Sequence, residues 1–355
     1  MPQPLLAVMS VAAILMIGNV LIICHELGHY LAARATGLVA ERFTIGVGPN
    51  LFRLKDHRGT VWSLSALPVG GYVAFAGERD RSRAGGYAAL RPTARMLIVL
   101  AGPAANMLVA IGLYVCILAG RGETTLLPIA TTIEAGSPAA RAGLEQGDLI
   151  VAADGTSIVT FADLGAFLQA RPDQIVDLRI ERQGAQLDLR PRLEARHSDG
   201  RNVGYLGIEA HSLGHRQLGF GQILLLAPAR AWTVLSLTVN GIVGTITTGQ
   251  GAGQFTGMLG VAHLAGVAAA SGPIPLLALT AVLSINLALM NLLPIPVLDG
   301  GAFLFCLFEW VAGRPASARV QELATRTGVA AIAGLFALST IHDLAGFGLF
   351  QWLPK

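Results

Sequence analysis

The sequence predicts a polytopic α-helical membrane protein with about four transmembrane helices, a β-rich loop after the first of them, and an inserted extracytoplasmic α+β domain. Three observations lead there. Hydrophobic residues are 53% of the 355 and charged residues 13%, and the mean hydropathy of +0.59 is well above that of a soluble domain of this length. Charge is absent from 4–24, 96–120 and 272–298, runs that match the ~20 residues a helix needs to cross the hydrocarbon. Between the second and third runs, 125–210 turns polar and Gly-punctuated, the composition of a folded insert.

The first element is a helix over about 5–33. Met1-Pro2-Gln3-Pro4 has no positive n-region, and the apolar run after it is longer than a signal-peptide core, so the segment is expected to remain as a span. Arg34, Arg42, Arg53, Lys55, Arg58, Arg79, Arg81, Arg83, Arg91 and Arg95 crowd 31–95, which assigns this loop to the cytoplasm and the N-terminus to the outside. Within 40–78, β-formers cluster at 43–49, 51–55, 60–67 and 70–75 between Gly and Pro, predicting short antiparallel strands. Two readings stay open: an ordinary cytoplasmic hairpin, or strands folded back beside the first helix with an edge free to pair with an extended chain. The second span, 96–120, runs outward and carries Gly102-Pro103-Ala104-Ala105-Asn106, where Asn106 is either helix–helix glue or a group near a site.

Residues 217–262 hold Arg230 as their only charge and are broken by Pro228. If 231–250 alone crossed, the next span would end outside, some 30 Å from the C-terminal end of the first helix. The segment 217–271 is therefore expected to lie along the outer interface with Trp232 as an anchor, the alternative being a return crossing by 254–271. A third span covers about 272–298 and ends in Asn291-Leu292-Leu293-Pro294-Ile295-Pro296-Val297-Leu298-Asp299-Gly300-Gly301, whose prolines stop regular helix. A fourth follows at about 328–350.

The chemistry concentrates in His25-Glu26-Leu27-Gly28-His29, at the end of the first apolar run. On a helix the i, i+4 spacing brings both imidazoles to one face within reach of one metal ion, and the glutamate between them can hold and deprotonate a water there. Five residues with three fixed positions also arise by chance. Location weighs against chance, because an ionisable side chain in a membrane helix costs roughly 2.5–3.5 kcal/mol, whereas a bound structural zinc returns about 10–16 kcal/mol in peptides. If the third span runs inward, Asp299 arrives at the same depth and is the natural third ligand; the competing reading is a helix-ending Asp-Gly turn. Cys24, Cys116 and Cys306 lack disulfide or zinc-finger spacing and read as small buried hydrophobes, and Cys24 points about 100° from His25. The net charge of +3 comes from scattered basic residues without an aromatic-basic stripe, which excludes nucleic acid as a partner.

The insert contains Ile133-Glu134-Ala135-Gly136-Ser137-Pro138-Ala139, Gly147-Asp148-Leu149-Ile150, an amphipathic stretch at 161–170, late strands in 179–192, and Gly204-Tyr205-Leu206-Gly207-Ile208 as a candidate peptide-binding strand. In this order it resembles a single PDZ domain over about 125–210. Nearly the whole chain resembles the site-2 protease family of intramembrane zinc metalloproteases, in its bacterial regulator-of-sigma-E branch. The residues that carry this are the first-helix motif, Glu41-Arg42-Phe43 to Gly48, Pro68 to Val73, Gly102 to Asn106, the insert, and Asn291 to Gly301. The resemblance implies that His25, His29 and Asp299 hold one Zn2+ and that Glu26 is the general base. It also implies that the Gly46-x-Gly48 region forms a re-entrant β-loop and that Asn291, with Gly46, Gly48, Gly70, Gly71 and Asn106, lies toward substrate. It further implies a multi-pass protein of the bacterial inner membrane, with the PDZ domain outside and the active site toward the cytoplasm. The implied substrate is a single-pass, anti-sigma-factor-like protein already trimmed by another protease, cleaved within its transmembrane segment during a stress response. A trimmed terminus is the expected PDZ ligand. Two departures stand out: one PDZ domain where well-known relatives have two, and Met258 in Thr256-Gly257-Met258-Leu259-Gly260 where relatives carry Gly-Pro.

Two rivals come from other classes. Ionisable groups at membrane depth also mark metal or proton transporters, which would pass metal without needing Glu26 as a base. A membrane-tethered PDZ adaptor with a vestigial metal site would work normally with Glu26→Gln.

Overall fold

The structure, a computed structural model, describes residues 3–78, 83, 85–198, 201–248 and 257–346. Arg79 and Arg81 of the basic loop, Thr256, and the 347–350 end of the fourth predicted span lie outside the described residues. Residues within 118–220 make one compact unit, and those within 1–117 and 221–355 another.

Helix α1 (Gln3–Ala35) extends the first predicted span by two residues at each end. Strands β1 (Ala40–Lys55) and β2 (Val61–Phe75) replace the short strands expected over 40–78 with two long bent ones. The bends fall at Gly46, Gly48 and Gly70, whose φ of +83°, +96° and +81° are open to glycine at no steric cost. Each strand thereby folds against two parts of the other: Phe43 faces both Val73 and Trp62, and Ser63 faces both Thr44 and Arg53. The spatial order is 50–55, 61–65, 42–45, 71–75, so 71–75 forms one edge. Tyr30, Phe43 and Trp62 weld this sheet to α1, with centroids 4.5–5.9 Å apart and Phe43 buried. Helix α2 (Pro92–Arg121) follows with Pro103 inside it.

The 118–220 unit begins with β3 (Glu123–Leu126), β4 (Thr132–Ile133), α3 (Pro138–Arg141), β5 (Leu149–Ala153) and β6 (Thr156–Ser157). It continues with α4 (Phe161–Gln169), β7 (Leu178–Arg182), β8 (Ala185–Leu189) and β9 (Glu194–Ser198), and closes with β10 (Arg201–Tyr205), β11 (Ile208–Glu209) and β12 (Leu213–Arg216). A four-stranded sheet of order β6-β5-β7-β8 and α4 enclose a core that includes Ile150, Leu164, Leu178 and Ile180. The amphipathic stretch foreseen at 161–170 is α4, started by a capping box between Thr160 and Asp163. The candidate strand 204–208 is split instead, since β10 ends at Tyr205 and Gly207, at φ +84°, turns the chain into β11.

Helix α5 (Phe220–Thr248) is one continuous helix through Pro228, and Phe220–Thr245 is long and apolar enough to cross a membrane. Over the 217–271 segment expected to lie along the interface the structure places α5, which is long and apolar enough to span as well, and a short α6 (Met258–Ser271). Proline near the start of α5 removes one ladder bond without ending the helix, because apolar packing on α2 and α7 holds its later turns. Helix α7 (Pro273–Asn291) stops where Pro294 and Pro296 dictate, α8 (Asp299–Ala312) begins at Asp299, and α9 (Ala318–Gly346) is the last. Among the described residues, five helices could span a membrane, one more than the four expected. Asp343 on α9 accepts from Gly257 N, Leu259 N and Gly260 N at 2.8–3.1 Å, placing a carboxylate on the N-terminus of α6.

Asp148 anchors the inserted unit. It is 1% exposed and accepts from Arg182 Nε and Nη2 at 2.7 Å each, and from Glu145 N at 2.8 Å. Burial pushes its pKa up, but the Arg182 fork and the Glu145 N–H outweigh that and hold it below the ordinary 3.8. A carboxylate depressed in the folded state stabilises fully above its unfolded pKa and loses that contribution as pH falls through the folded one. Asp148→Asn is expected to lower the melting temperature of this unit by several degrees at pH 7 and to flatten its acid dependence below about pH 4, as followed by hydrogen exchange of 118–220 in the full-length protein.

Candidate active site

Helix α1 presents His25, Glu26 and His29 on consecutive turns, and α8 presents Asp299 from its first position. The distances are 3.1 Å between His25 Nε2 and His29 Nε2, 3.0 Å from His25 Nε2 to Asp299 Oδ2, and 3.4 Å from His29 Nε2 to Asp299 Oδ2. Asp299 reaches this point because Gly300 and Gly301 nest against the Leu292–Pro296 turn, where a Cβ at either would collide with backbone.

Helix α2 supplies the supporting layer. His29 Nδ1 lies 2.8 Å from Ile98 O and donates to it, leaving the Nε2 lone pair directed at the other two groups. Pro103 cannot donate to Val99 O, so the α2 ladder lacks one bond beside the turn that receives His29. Asn106 is fully buried, with Nδ2 3.3 Å from His25 Nδ1 and Oδ1 unsatisfied. The contact holds the His25 ring from the side away from His29 and Asp299. Gly102 sits directly under both rings, and a Cβ there would strike His29 Nε2 and His25 Cε1.

Three electron-rich atoms thus converge, with Asp299 Oδ2 shielded from solvent and receiving no hydrogen bond. Lone pairs aimed at one point repel unless a cation sits among them. Ligands about 2.0–2.2 Å from a tetrahedral zinc stand roughly 3.3–3.6 Å apart, close to the edges found here. His25, His29 and Asp299 would fit a zinc ion, and all three line one cavity.

That cavity, about 600 Å³, is lined by Glu26, Tyr72, Val73, Phe75 and Asn291 among others. Glu26 Oε2 accepts from Val73 N at 3.0 Å, and Glu78 Oε1 accepts from Phe75 N at 2.8 Å. The N–H groups of 73 and 75 therefore point away from β1, so 71–75 is a true edge whose polar groups face the site. Of the other residues foreseen, Gly46, Gly48 and Gly70 shape the bends of the sheet, and Gly71 lets 71–75 approach Thr44 O. Asn291 alone of the six expected substrate-side residues lines the cavity, while Asn106 supports His25. Sequence reasoning missed Ile98 O and Val73 N, which as backbone groups leave no residue signature, and Gly102, which enters only within the Gly102 to Asn106 stretch with no role of its own.

A profile of peptidase family M50 matches residues 12–335, covering both ligand-bearing helices. The chain belongs to peptidase family M50. This M50 chain is 33% identical over 351 residues to a protein named as a zinc metalloprotease in Agrobacterium fabrum, covering 92% of this chain and 93% of the relative. It is 33% identical over 389 residues to the metalloprotease MmpA of Caulobacter vibrioides, covering 96% of each. A similarly named zinc metalloprotease of Campylobacter jejuni is 33% identical over 350 residues, covering 94% and 92%. The protein is a zinc metalloprotease with several apolar helices, a multi-pass membrane member of its family.

Gly102→Ala is expected to push both imidazoles off the shared point. A displacement of order 1 Å costs about 10²-fold in rate, so proteolysis should fall by at least that, with bound zinc per chain falling in parallel and the 118–220 unit melting as before.

Proposed function

We propose that this M50 protein cleaves a peptide bond inside the transmembrane segment of a single-pass membrane protein. The observation that carries the reading is the shared cavity: His25, His29 and Asp299 converge on one wall, Glu26 stands beside them, and the 71–75 edge forms another wall. His25, His29 and Asp299 are the zinc ligands. Zinc held there supplies a Lewis acid that makes water acidic near neutral pH and polarises a peptide carbonyl.

Glu26 does the proton work. It removes a proton from the attacking water as oxygen bonds to the carbonyl carbon, and returns it to the leaving nitrogen as the C–N bond breaks. The Val73 N–H fixes one carboxylate oxygen and so keeps Glu26 on the cavity side of α1. A helical substrate hides its carbonyls in i to i−4 bonds and must be extended first. The 71–75 edge offers the outward carbonyls of Gly71 and Val73 for strand addition, and Asn291 contacts the extended segment from the opposite wall. Gly46, Gly48, Gly70 and Gly71 serve substrate indirectly by shaping that edge, and Asn106 does so by holding His25.

The arginine-rich loop sets the site toward the cytoplasm of a bacterial inner membrane, with the N-terminus and the 118–220 unit outside. Helix α5 then crosses inward and α6, packed on the first half of α1, runs back outward, because α7 must run inward to deliver Asp299 beside His25. The inserted unit acts as a single PDZ domain that binds the trimmed terminus of the substrate. An anti-sigma-factor-like protein cut in a stress response, after an outer protease has acted, fits this order of events.

Co-expression with a tagged single-pass substrate tests the reading. Glu26→Gln is expected to keep bound zinc and lose cleavage by about 10²–10⁴-fold, whereas Asp299→Asn should lose both. Unchanged cleavage in Glu26→Gln would exclude Glu26 as the base, and metal flux through vesicles containing that variant would favour a transporter.

A further inference from the structure

We propose that the buried ion pair between Arg95 and Glu309 is a positioning device that sets where Asp299 stands relative to the two histidines. Arg95 Nη2 lies 2.7 Å from Glu309 Oε1, with side chains 9% and 12% exposed. The inference rests on Asp299 being a zinc ligand, as proposed above.

Two ligands take their orientation from α2: His29 through Ile98 O, His25 through Asn106, and both through the close fit at Gly102. Asp299 takes none of its hydrogen bonds from α2. Its place depends on how α8 lies against α2, because it is the first residue of α8 and follows a seven-residue turn containing Pro294 and Pro296. The residue before it, Leu298, gives no side-chain cap to α8.

Glu309 lies ten residues further along α8, about 15 Å from Asp299 at 1.5 Å per residue. Arg95 lies one turn before Ile98 on α2. The ion pair therefore ties α8 to the same helix that orients the histidines, at a point well removed from the metal, and so fixes the tilt and axial register of α8. Apolar contacts alone tolerate sliding, whereas two opposite charges buried together lose attraction steeply as they separate. The pair is costly: both charges are withdrawn from water, and Arg95 Nε and Nη2 are both buried without a hydrogen-bond partner, so Nη2 meets Glu309 as a charge contact. An apolar pair of similar volume would hold two helices together equally well, so a pair that specifies position accounts for its presence here.

The test measures zinc loss from the full-length protein in detergent against a chelator, with helical content and melting at saturating zinc followed alongside. Arg95→Met/Glu309→Leu, which keeps packing and removes the charges, is expected to melt like the parent at saturating zinc yet lose the metal about tenfold faster, in the range typical of groups that support ligands. The exchanged pair Arg95→Glu/Glu309→Arg is expected to restore zinc retention to within about threefold of the parent. Parent-like retention in the apolar double variant would overturn the proposal, as would zinc loss that merely tracks unfolding at saturating metal. Asp299→Ala serves as the reference: parent-like zinc retention there overturns the ligand assignment itself, whatever the ion-pair variants do.

Discussion

The convergence of two imidazole nitrogens and one carboxylate oxygen within 3.0–3.4 Å, inside an apolar helical bundle, is the constraint on which the rest depends. Without a cation the arrangement is repulsive and poorly hydrated, and lipid offers no water to relieve it. The surrounding elements answer that constraint. Helix α2 orients the two imidazoles through a carbonyl and an amide, and a glycine at the point of contact lets the rings approach. The proline-broken end of α7 turns the chain so that α8 can start with its ligand in place.

A second consequence concerns backbone. The 71–75 edge leaves polar groups exposed at a site beside α1, which a bilayer core would penalise unless protein or a cavity shelters them. Glu26 and Glu78 occupy the N–H groups of 73 and 75, and the Tyr30, Phe43 and Trp62 rings lock the sheet onto α1 just beyond His29. Glu26 and the strand edge are thus parts of one rigid assembly.

Much of this was legible in the sequence, for identifiable physical reasons. The His25–His29 spacing needs only helix geometry, and Asp299 follows from two prolines and the direction of a span. The spans themselves follow from absence of charge. Helix α5 was harder, because Pro228 and its many small and hydroxyl residues imitate a broken surface segment, while the apolar contacts that keep it helical are tertiary. The order of the four strand segments depends on positive-φ bends at Gly46, Gly48 and Gly70 and has no period to read. Ile98 O and Val73 N act through backbone, so no residue type announces them. Helix α8 was missed because Asp299-Gly300-Gly301 reads as a turn until the close packing of those glycines is seen.

The most direct measurement of the central claim is zinc-edge X-ray absorption on the protein purified with its native metal, compared with Asp299→Ala. The account predicts one zinc bound by two imidazoles and one carboxylate at about 2.0–2.2 Å, with the carboxylate replaced by water or the metal lost in the variant. A sulfur scatterer at about 2.3 Å, or an unchanged shell in Asp299→Ala, would contradict it.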